Sequence, residues 1–289
     1  MCSASQNPSD NETFSDWVGK TALEIDRPTR SAIARLAALL DYTETPWGPE
    51  EIPPLAHWLF FLPQSPEKDL SPDGHPARGG FWPPFSLPRR MWAGGRVRFL
   101  RPMEFDLEYE RCSTITNIKF TEGKTGKLAF LTLQHDIRRD SKSYVVEEQD
   151  IVYRNPSAAS SQIKAQKSGD KAKSFDHLRT VSTTPITLFR FSAMTYNSHR
   201  IHYDETFARD EEGYEERLVH GPLMAIMLMD HYRRNASEKR VREFAFRAKQ
   251  PVFVNTNFDL CLTLTTNGGN LSLQCGERGI AMEASVIAE

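Results

Sequence analysis

The segment HGPLMAIMLMDHYRR, residues 220–234, constrains the fold more than any other part of the chain. Its composition is that of a helix, and its first turns are apolar on nearly every side. A helix that is apolar all round must be buried all round. The segments that follow it, EFAFRAKQPVFV, FDLCLTLTTNGGNLSLQCGERG and IAMEASVIAE, are β-rich, and Asn267-Gly268-Gly269 is a hairpin turn signal. We therefore predict a buried helix wrapped by a curved antiparallel sheet.

The first half of the chain contains a second β-rich stretch, which begins near Arg96. Its segments RVRFL, DLEYERCSTITNIKF, GKLAFLTLQHDIRR and SYVVEEQDIVYR are separated by turn sequences and predict a meander of long antiparallel strands. Upstream of them, RPTRSAIARLAALLDY has apolar residues at helical spacing and predicts a helix. The apolar run EIPPLAHWLFFL at 51–62 predicts a short buried helix, and residues 185–193 predict a strand.

Two pairs of similar segments suggest an internal duplication. Pro-Pro-Leu at 53–55 and Gly-Pro-Leu at 221–223 each open an apolar run, and RVRFLRPMEFDL resembles EFAFRAKQPVFVNTNFDL. Between the halves lies a polar, lysine-rich stretch that is typical of a linker. We therefore predict an N-terminal domain over residues 14–154, a linker over 155–174 and a C-terminal domain over 175–289, with disorder over residues 1–13.

Composition limits the class of protein. The net charge of −2 provides no basic field for a nucleic acid, and no apolar run of about 18 residues could span a membrane. The polar N-terminus has neither a signal-peptide nor a transit-peptide pattern, so we expect a cytoplasmic protein. The four cysteines lie far apart and form no C-x-x-C pair, which favours reduced thiols over a zinc site or a disulfide framework.

Polar and titratable residues cluster just before the buried helix. They occur in the stretch FSAMTYNSHRIHYD, residues 191–204, which is followed by His220-Gly221. A histidine titrates near neutrality and can take and return a proton, so His202 and His199 are candidate bases. Gly221 lies where the helix begins, and its backbone N–H is therefore a candidate donor to a developing oxyanion.

This stretch resembles the active-site motif of the hotdog-fold (R)-enoyl-CoA hydratases, also called the MaoC-like superfamily. Their motif ends in Asp-x-Asn-Pro-x-His, continues with Tyr/Leu-Asp, and precedes a His-Gly that opens the central helix. In the first half, PPLAHWLFFLP, DGHPARGGFWPP and LPRRMWAGGRVRF are similar to the itaconyl-CoA (mesaconyl-C4-CoA) hydratase subgroup, which is related to mitochondrial-type 3-hydroxyacyl-thioester dehydratases. The resemblance covers about residues 15–289. It implies an α+β double hotdog, two curved antiparallel sheets that each surround a long central helix.

One position departs from the superfamily motif. The acid–base aspartate of the motif aligns with Asn197, and an amide cannot exchange a proton at neutral pH. We therefore expect His202 to carry the proton and Asn197 to orient the attacking water. Gly221 would donate its N–H to the thioester oxygen, and His199 stays open as the alternative base.

The resemblance implies a hydro-lyase that converts itaconyl-CoA or mesaconyl-C4-CoA to citramalyl-CoA. A free carboxylate on the acyl group needs a cation, preferably a guanidinium, and Arg89, Arg90 and Arg200 are candidates. Arg247 and Lys249 are candidates for binding the CoA phosphates. The second half would hold the catalytic residues, and the first half would shape the acyl pocket.

Several alternatives stay open at this point. The chain could instead be a 3-hydroxyacyl-thioester dehydratase of fatty-acid synthesis, a hotdog thioesterase, or a non-catalytic hotdog that binds acyl-CoA, which the missing aspartate would fit. His199 and His202 lack a third ligand at a familiar spacing, so we expect no metal. We also expect no cofactor beyond the CoA of the substrate, and a small-molecule CoA thioester as the partner. A homodimer is compatible with these expectations.

Overall fold

The computed structural model describes residues 14–123, 126–155 and 174–289. The predicted disorder over 1–13 and nearly all of the predicted linker lie outside the described residues. In the described part, a single antiparallel sheet contains β1 Thr21–Asp26, β2 Arg89–Phe99, β3 Tyr109–Gly123, β4 Gly126–Arg139, β5 Lys142–Arg154, β6 His177–Ser182, β7 Val241–Ala248, β8 Asn257–Thr265, β9 Gly268–Gln274 and β10 Ile280–Ala288. Its α-helices are α1 Arg30–Leu39, α2 Pro185–Thr195 and α3 Gly221–Asn235.

The strand order shows that the two halves share one topology. The order across the sheet is β1-β3-β4-β5-β2-β7-β10-β9-β8-β6. From the central β2–β7 pair outwards, each half therefore runs through its second, fifth, fourth, third and first strand. The halves are joined by antiparallel pairs such as Arg96↔Ala245. This arrangement is the one that an internal duplication produces, while the exact domain boundaries stay a prediction.

Helix α3 confirms the prediction of a helix buried on every side. Ten consecutive residues, Leu223–Tyr232, are buried, and they pack in the main core with strand residues such as Phe244 and Leu273. Burying one such apolar side chain stabilises the fold by about 1.5–3 kcal/mol. Asp230 lies in the buried run, and its carboxylate accepts hydrogen bonds from the Tyr42 hydroxyl at 2.7 Å and from Arg234 at 2.8 Å. The buried carboxylate of Asp230 is therefore stabilised by hydrogen bonds from Tyr42 and Arg234.

The helix predicted at 51–62 is wrong. This segment contains only one 3-10 turn, Ala56–Leu59. The two prolines at 53–54 lack N–H donors, and Leu55 has a φ of +70°, so a regular helix cannot continue through the segment. Its apolar side chains are buried nonetheless, as predicted, and Leu55 and Ala56 are fully inaccessible.

The strand predicted at 185–193 is also wrong, because these residues form α2. The helix begins with a capping box in which the Thr184 hydroxyl accepts from the Thr187 N–H, and the Thr187 hydroxyl accepts from the Thr184 N–H, both at 3.2 Å. The buried positions are Leu188 and Phe191, which are three residues apart as one helix face requires. None of the described helices combines the length and the apolar composition needed to cross a membrane.

Candidate functional site

A cavity of about 1810 Å³ is lined by residues of both halves. It is bordered by the loop at 70–77, by the start of β2, by residues 189–203 and by the start of α3. Seven of the eight predicted site residues line it, namely Arg89, Arg90, Asn197, His199, Arg200, His202 and Gly221. The cavity is thus the place where residues predicted from distant parts of the sequence come together.

Arg247 does not line this cavity. It is exposed on β7, and the alternation of the strand places it on the face opposite to the buried Phe246. Lys249 does line the cavity, and its ammonium group pairs with Glu283 at 2.5 Å. The predicted contact of Arg247 with the CoA phosphates therefore has no support from its position.

His202 is buried in the 3-10 turn Arg200–His202 and has a defined tautomer. Its Nδ1 lies 2.8 Å from the Leu218 carbonyl oxygen, which can only accept a hydrogen bond. Nδ1 therefore carries the hydrogen, and Nε2 of the neutral ring is bare. Burial lowers the pKa of His202 to about 4. The ring is thus neutral at pH 7, and Nε2 can accept a proton.

His220 supports His202 from the side of helix α3. The two rings stack with centroids 3.6 Å apart and an angle of 18° between their planes. His220 precedes the helix and is fully buried, and its Nε2 lies 2.9 Å from the Ser192 hydroxyl oxygen. Burial holds the pKa of His220 well below its ordinary value. The neutral ring of His220, which is hydrogen-bonded to Ser192, therefore packs against the candidate base His202.

His199 and Asn197 form a local turn. The backbone N–H of His199 donates to Oδ1 of Asn197 at 3.0 Å. The amide oxygen therefore fixes the local backbone with one of its two lone pairs, and its other lone pair and the amide Nδ2 are left to contact a water. Burial, together with the charges of neighbouring groups such as Arg90, lowers the pKa of His199 far below its ordinary value. The ring of His199 is edge-on to that of His202, with centroids 5.4 Å apart.

Gly221 is the first residue of α3, and its position supports the predicted donor role. In the described part of the chain its N–H has no acceptor, as expected for the first position of a helix. A Cβ added at Gly221 would lie 3.8 Å from the Trp92 carbonyl oxygen, which is an ordinary contact. The fold itself therefore tolerates a side chain here, so any need for glycine comes from the close approach of a ligand.

The three arginines predicted to bind a carboxylate differ in how far their charges are compensated. Arg89 is buried, and its Nε lies 2.8 Å from a carboxylate oxygen of Glu212. Arg200 pairs with Asp204 at 2.7 Å. Arg90 stacks on the ring of Trp82 at 4.0 Å and has no carboxylate partner among the residues that the structure describes. Arg90 is therefore the arginine of the three with a charge available to a ligand.

Asp73 and His75 also line the cavity and were not identified from the sequence. Their loop is attached to the candidate catalytic segment, because the Arg200 N–H donates to the Asp73 carbonyl at 2.9 Å and the Ser198 hydroxyl donates to the Gly74 carbonyl at 2.5 Å. Gly74 has a φ of +90°, and a Cβ there would lie 1.9 Å from the Ser198 carbonyl oxygen. The Asp-Gly-His triplet in a proline-rich loop is the signal that could have found them.

One group of potential metal ligands occurs among the described residues. Asp73, His75 and His199 each offer one ligand atom, and these atoms lie within 4.8 Å of one another. The sequence predicted no metal, because it shows only the H-x-x-H pair and not the third residue from the other half. In this structure Asp73 and His75 satisfy each other, with Nδ1 of His75 lying 3.1 Å from Oδ2 of Asp73.

The wall that the first half contributes to the cavity contains a polar patch among apolar residues such as Leu133 and Ile151. Ser113, His135 and Gln149 form this patch, and the Ser113 hydroxyl lies 2.7 Å from Nδ1 of His135. Behind them, the buried Glu147 is 2.9 Å from Nε2 of His57 and accepts from Gln149 at 2.8 Å. Burial alone would raise the pKa of Glu147, but the hydrogen bond and charge of His57 lower it to about 2. The patch can thus receive a polar group of a ligand.

The buried histidines predict a loss of stability in mild acid. Burial lowers the pKa values of His135 and His202 from 6.5 to about 4. Between pH 6.5 and 4 the unfolded chain binds protons at these positions and the folded chain does not, so the free energy of unfolding falls by up to about 3 kcal/mol per group. We expect the urea midpoint to drop between pH 7 and pH 4.5, and to drop less in the His202→Gln variant. Equal pH dependence in both proteins would contradict the burial of a neutral His202.

Comparisons with known proteins agree with this architecture. Residues 55–254 match the family model for hydroxyacyl-thioester dehydratase type 2. The chain is 41% identical over 272 residues to a mesaconyl-C(4)-CoA hydratase of Chloroflexus aurantiacus, and the match covers 93% of this chain and 96% of the relative.

Solved structures confirm the fold. A MaoC-like dehydratase from Phytophthora capsici is similar with a TM-score of 0.68 and 13% identity, over 94% of this chain and 95% of that one. A Mycobacterium tuberculosis protein with a double hotdog fold is similar with a TM-score of 0.50 and 13% identity, over 94% of this chain and 96% of that one. At these identities the likeness concerns the fold alone, and it confirms the predicted α+β double hotdog.

Proposed function

Since the chain belongs to the hydroxyacyl-thioester dehydratase type 2 family, we propose that it is a hydro-lyase that adds water to an unsaturated dicarboxylic CoA thioester. The substrates we propose are itaconyl-CoA and mesaconyl-C4-CoA, with citramalyl-CoA as the product. One observation carries the proposal. A single cavity is lined by a histidine with a bare Nε2, by a helix-opening glycine whose N–H has no acceptor in the described structure, and by Arg90.

The chemistry follows from these groups. Nε2 of His202 takes a proton from water as the water oxygen bonds to the β-carbon of the enoyl thioester. The electrons of the double bond move towards the thioester carbonyl, whose oxygen becomes negative. The N–H of Gly221 donates to this oxygen, with the positive end of the helix dipole behind it. The imidazolium then returns its proton to the α-carbon. Because burial disfavours the charged ring, this return is favourable.

The position of Arg90 supports a dicarboxylic acyl group. Arg90 lines the same cavity as His199 and His202, and it also borders a small pocket beside His75. A carboxylate bound to Arg90 would therefore lie in the cavity that also holds the reacting carbons. The polar patch of Ser113 and His135 agrees with a polar acyl group as well.

The main alternative is a 3-hydroxyacyl-thioester dehydratase of fatty-acid synthesis. The description of the matching family favours it, whereas Arg90, which has no carboxylate partner in the described structure, favours the dicarboxylic substrate. A second alternative is a non-catalytic hotdog that binds acyl-CoA, which would agree with Asn197 at the aspartate position. A homodimer and a cytoplasmic location stay predictions from the sequence.

A comparison of four substrates tests the proposal. The protein is incubated with mesaconyl-C4-CoA, itaconyl-CoA, crotonyl-CoA and a long-chain 2-enoyl-CoA, and hydrated products are quantified by chromatography with mass detection. We expect kcat/KM to be highest for one of the two dicarboxylic thioesters. A preference for the long-chain substrate would support the dehydratase of fatty-acid synthesis, and binding without any hydration would support the non-catalytic alternative.

A further inference from the structure

The structure leaves the attacking water without the carboxylate that the superfamily motif places at position 197. Asn197 stands there, and its amide oxygen accepts the backbone N–H of His199. A water held for attack donates two hydrogen bonds, and His202 offers one acceptor, its bare Nε2. The candidates for the second acceptor are the remaining lone pair of the Asn197 amide oxygen and the ring nitrogens of the other histidines that line the cavity.

His75 is such an acceptor, and Asp73 determines its tautomer. Asp73 accepts from the His75 backbone N–H at 3.0 Å, and its Oδ2 lies 3.1 Å from the ring Nδ1. The charged carboxylate can only accept, so Nδ1 carries the hydrogen and Nε2 is bare. Although burial raises the pKa of Asp73, the hydrogen bonds from His75 bring it below its ordinary value. Asp73 is therefore ionised at neutral pH.

The same loop lies against the segment that carries His202. The His75 ring contacts the His199 ring, with centroids 4.0 Å apart, and His199 in turn contacts His202. The backbone hydrogen bond from Arg200 to Asp73 holds the two segments together at 2.9 Å. His75, His199 and His202 all line the cavity. An imidazole and a carboxylate from the first half thus complete a wall formed by the second half.

We propose that His75, oriented by Asp73, accepts the second hydrogen bond of the attacking water and replaces the carboxylate that position 197 lacks. This inference rests on the proposed hydration. Of the two water protons, one goes to Nε2 of His202 and is returned to the α-carbon. The other stays on the oxygen, is held by Nε2 of His75, and becomes the hydroxyl hydrogen of the product. Asp73 is a positioning residue, because it acts through His75.

Substitutions at the two positions test this role. His75→Ala should lower kcat by about 10- to 100-fold with KM changed less than about threefold, because one hydrogen bond to the reacting water is lost. His75→Gln should retain more activity, since its amide oxygen can accept. Asp73→Asn should lower kcat as much as His75→Ala does, because an amide NH₂ facing Nδ1 favours the tautomer whose Nε2 carries the hydrogen.

The double variant separates orientation from loop anchoring. If Asp73 acts through His75, Asp73→Asn causes no further loss in a His75→Ala background. Additive losses would mean that Asp73 only anchors the loop, and would overturn its positioning role. His177→Ala is the matched control, since this histidine is only partly buried and does not line the cavity, and its kinetics should equal those of the unmodified protein. Near-UV circular dichroism of each variant identifies any that fail to fold, and the His75→Gln and Asp73→Asn variants then carry the test.

The outcomes distinguish this inference from the proposed function. If the unmodified protein hydrates a dicarboxylic enoyl-CoA and folded His75→Ala does so equally fast, the inference is wrong and the function stands. If the unmodified protein hydrates no enoyl-CoA, both are wrong. If the purified protein holds stoichiometric zinc that Asp73→Asn loses, and a chelator abolishes turnover, these residues are metal ligands and the inference is overturned.

Discussion

Replacing His202 with alanine is expected to lower kcat for hydration by about 10²–10⁴-fold, the usual contribution of general acid–base catalysis. The structure gives the reason, since Nδ1 is held by the Leu218 carbonyl and Nε2 is the bare nitrogen of a neutral ring. Because the pKa of His202 is about 4, the ring is protonated and unable to accept a proton only below that pH. We therefore expect kcat/KM of the unmodified protein to stay constant from neutral pH down to about pH 5, as measured by steady-state assays in mixed buffers.

Variants at neighbouring positions show whether this effect belongs to His202. Asn197→Ala should cost much less, because Oδ1 of Asn197 serves the backbone N–H of His199 and an amide transfers no proton. His57→Ala is informative for the other half of the chain, since His57 pairs with Glu147 behind the cavity wall. If His57→Ala abolishes turnover in a folded protein and His202→Ala leaves it intact, the catalytic residues lie in the first half and our assignment is wrong.

Replacing Arg90 with methionine is expected to raise KM for mesaconyl-C4-CoA by about 10- to 150-fold and to change KM for crotonyl-CoA little. The loss corresponds to one charge-assisted hydrogen bond, about 1.5–3 kcal/mol. Arg90 stacks on Trp82 and has no carboxylate partner in the described structure, so its charge is available to the substrate. Steady-state kinetics with both substrates measure the difference.

Two other arginines provide the comparison. Arg200→Met should raise KM for mesaconyl-C4-CoA less than Arg90→Met does, because the Arg200 guanidinium is already paired with Asp204. Arg98→Met is the matched control, since Arg98 is exposed on the same strand as Arg90 and does not line the cavity. Equal losses of Arg90→Met on both substrates would exclude the carboxylate role and favour a contact with the CoA part that they share.

Local sequence patterns were sufficient to predict the elements whose structure depends mainly on residues close together in the sequence. Alternating residues predicted the long strands of both halves, and an apolar composition on every side predicted the buried helix Gly221–Asn235. The patterns failed for short segments. The run at 51–62 is as apolar as a buried helix, but its prolines and the positive φ of Leu55 limit it to one 3-10 turn. Residues 185–193 resemble a strand in composition, yet the capping box at Thr184 starts a helix.

The residues of the candidate site also fall into those that the sequence could predict and those that it could not. His202, His199 and Gly221 could be predicted because they occur close together before one helix, and the cavity does bring them together. The sequence alone could not show which arginine has an available charge. That depends on Glu212 and Asp204, whose distances from Arg89 and Arg200 are properties of the folded chain. Likewise, the exclusion of Arg247 from the cavity follows from the face of β7 on which it lies.

Asp73 and His75 illustrate most directly what only the tertiary structure decided. The hydrogen bond between Ser198 and Gly74 joins residues 124 positions apart, and the fit is close enough that a Cβ at Gly74 could not be accommodated. Helical and strand periodicities report interactions over a few residues, because each side chain responds to its neighbours on one face. A contact between loops of two halves depends instead on the path of the whole sheet. The sequence by itself therefore determined the strands, the buried helix and a local histidine motif, whereas packing of the two halves placed a carboxylate and an imidazole of the first half beside that motif.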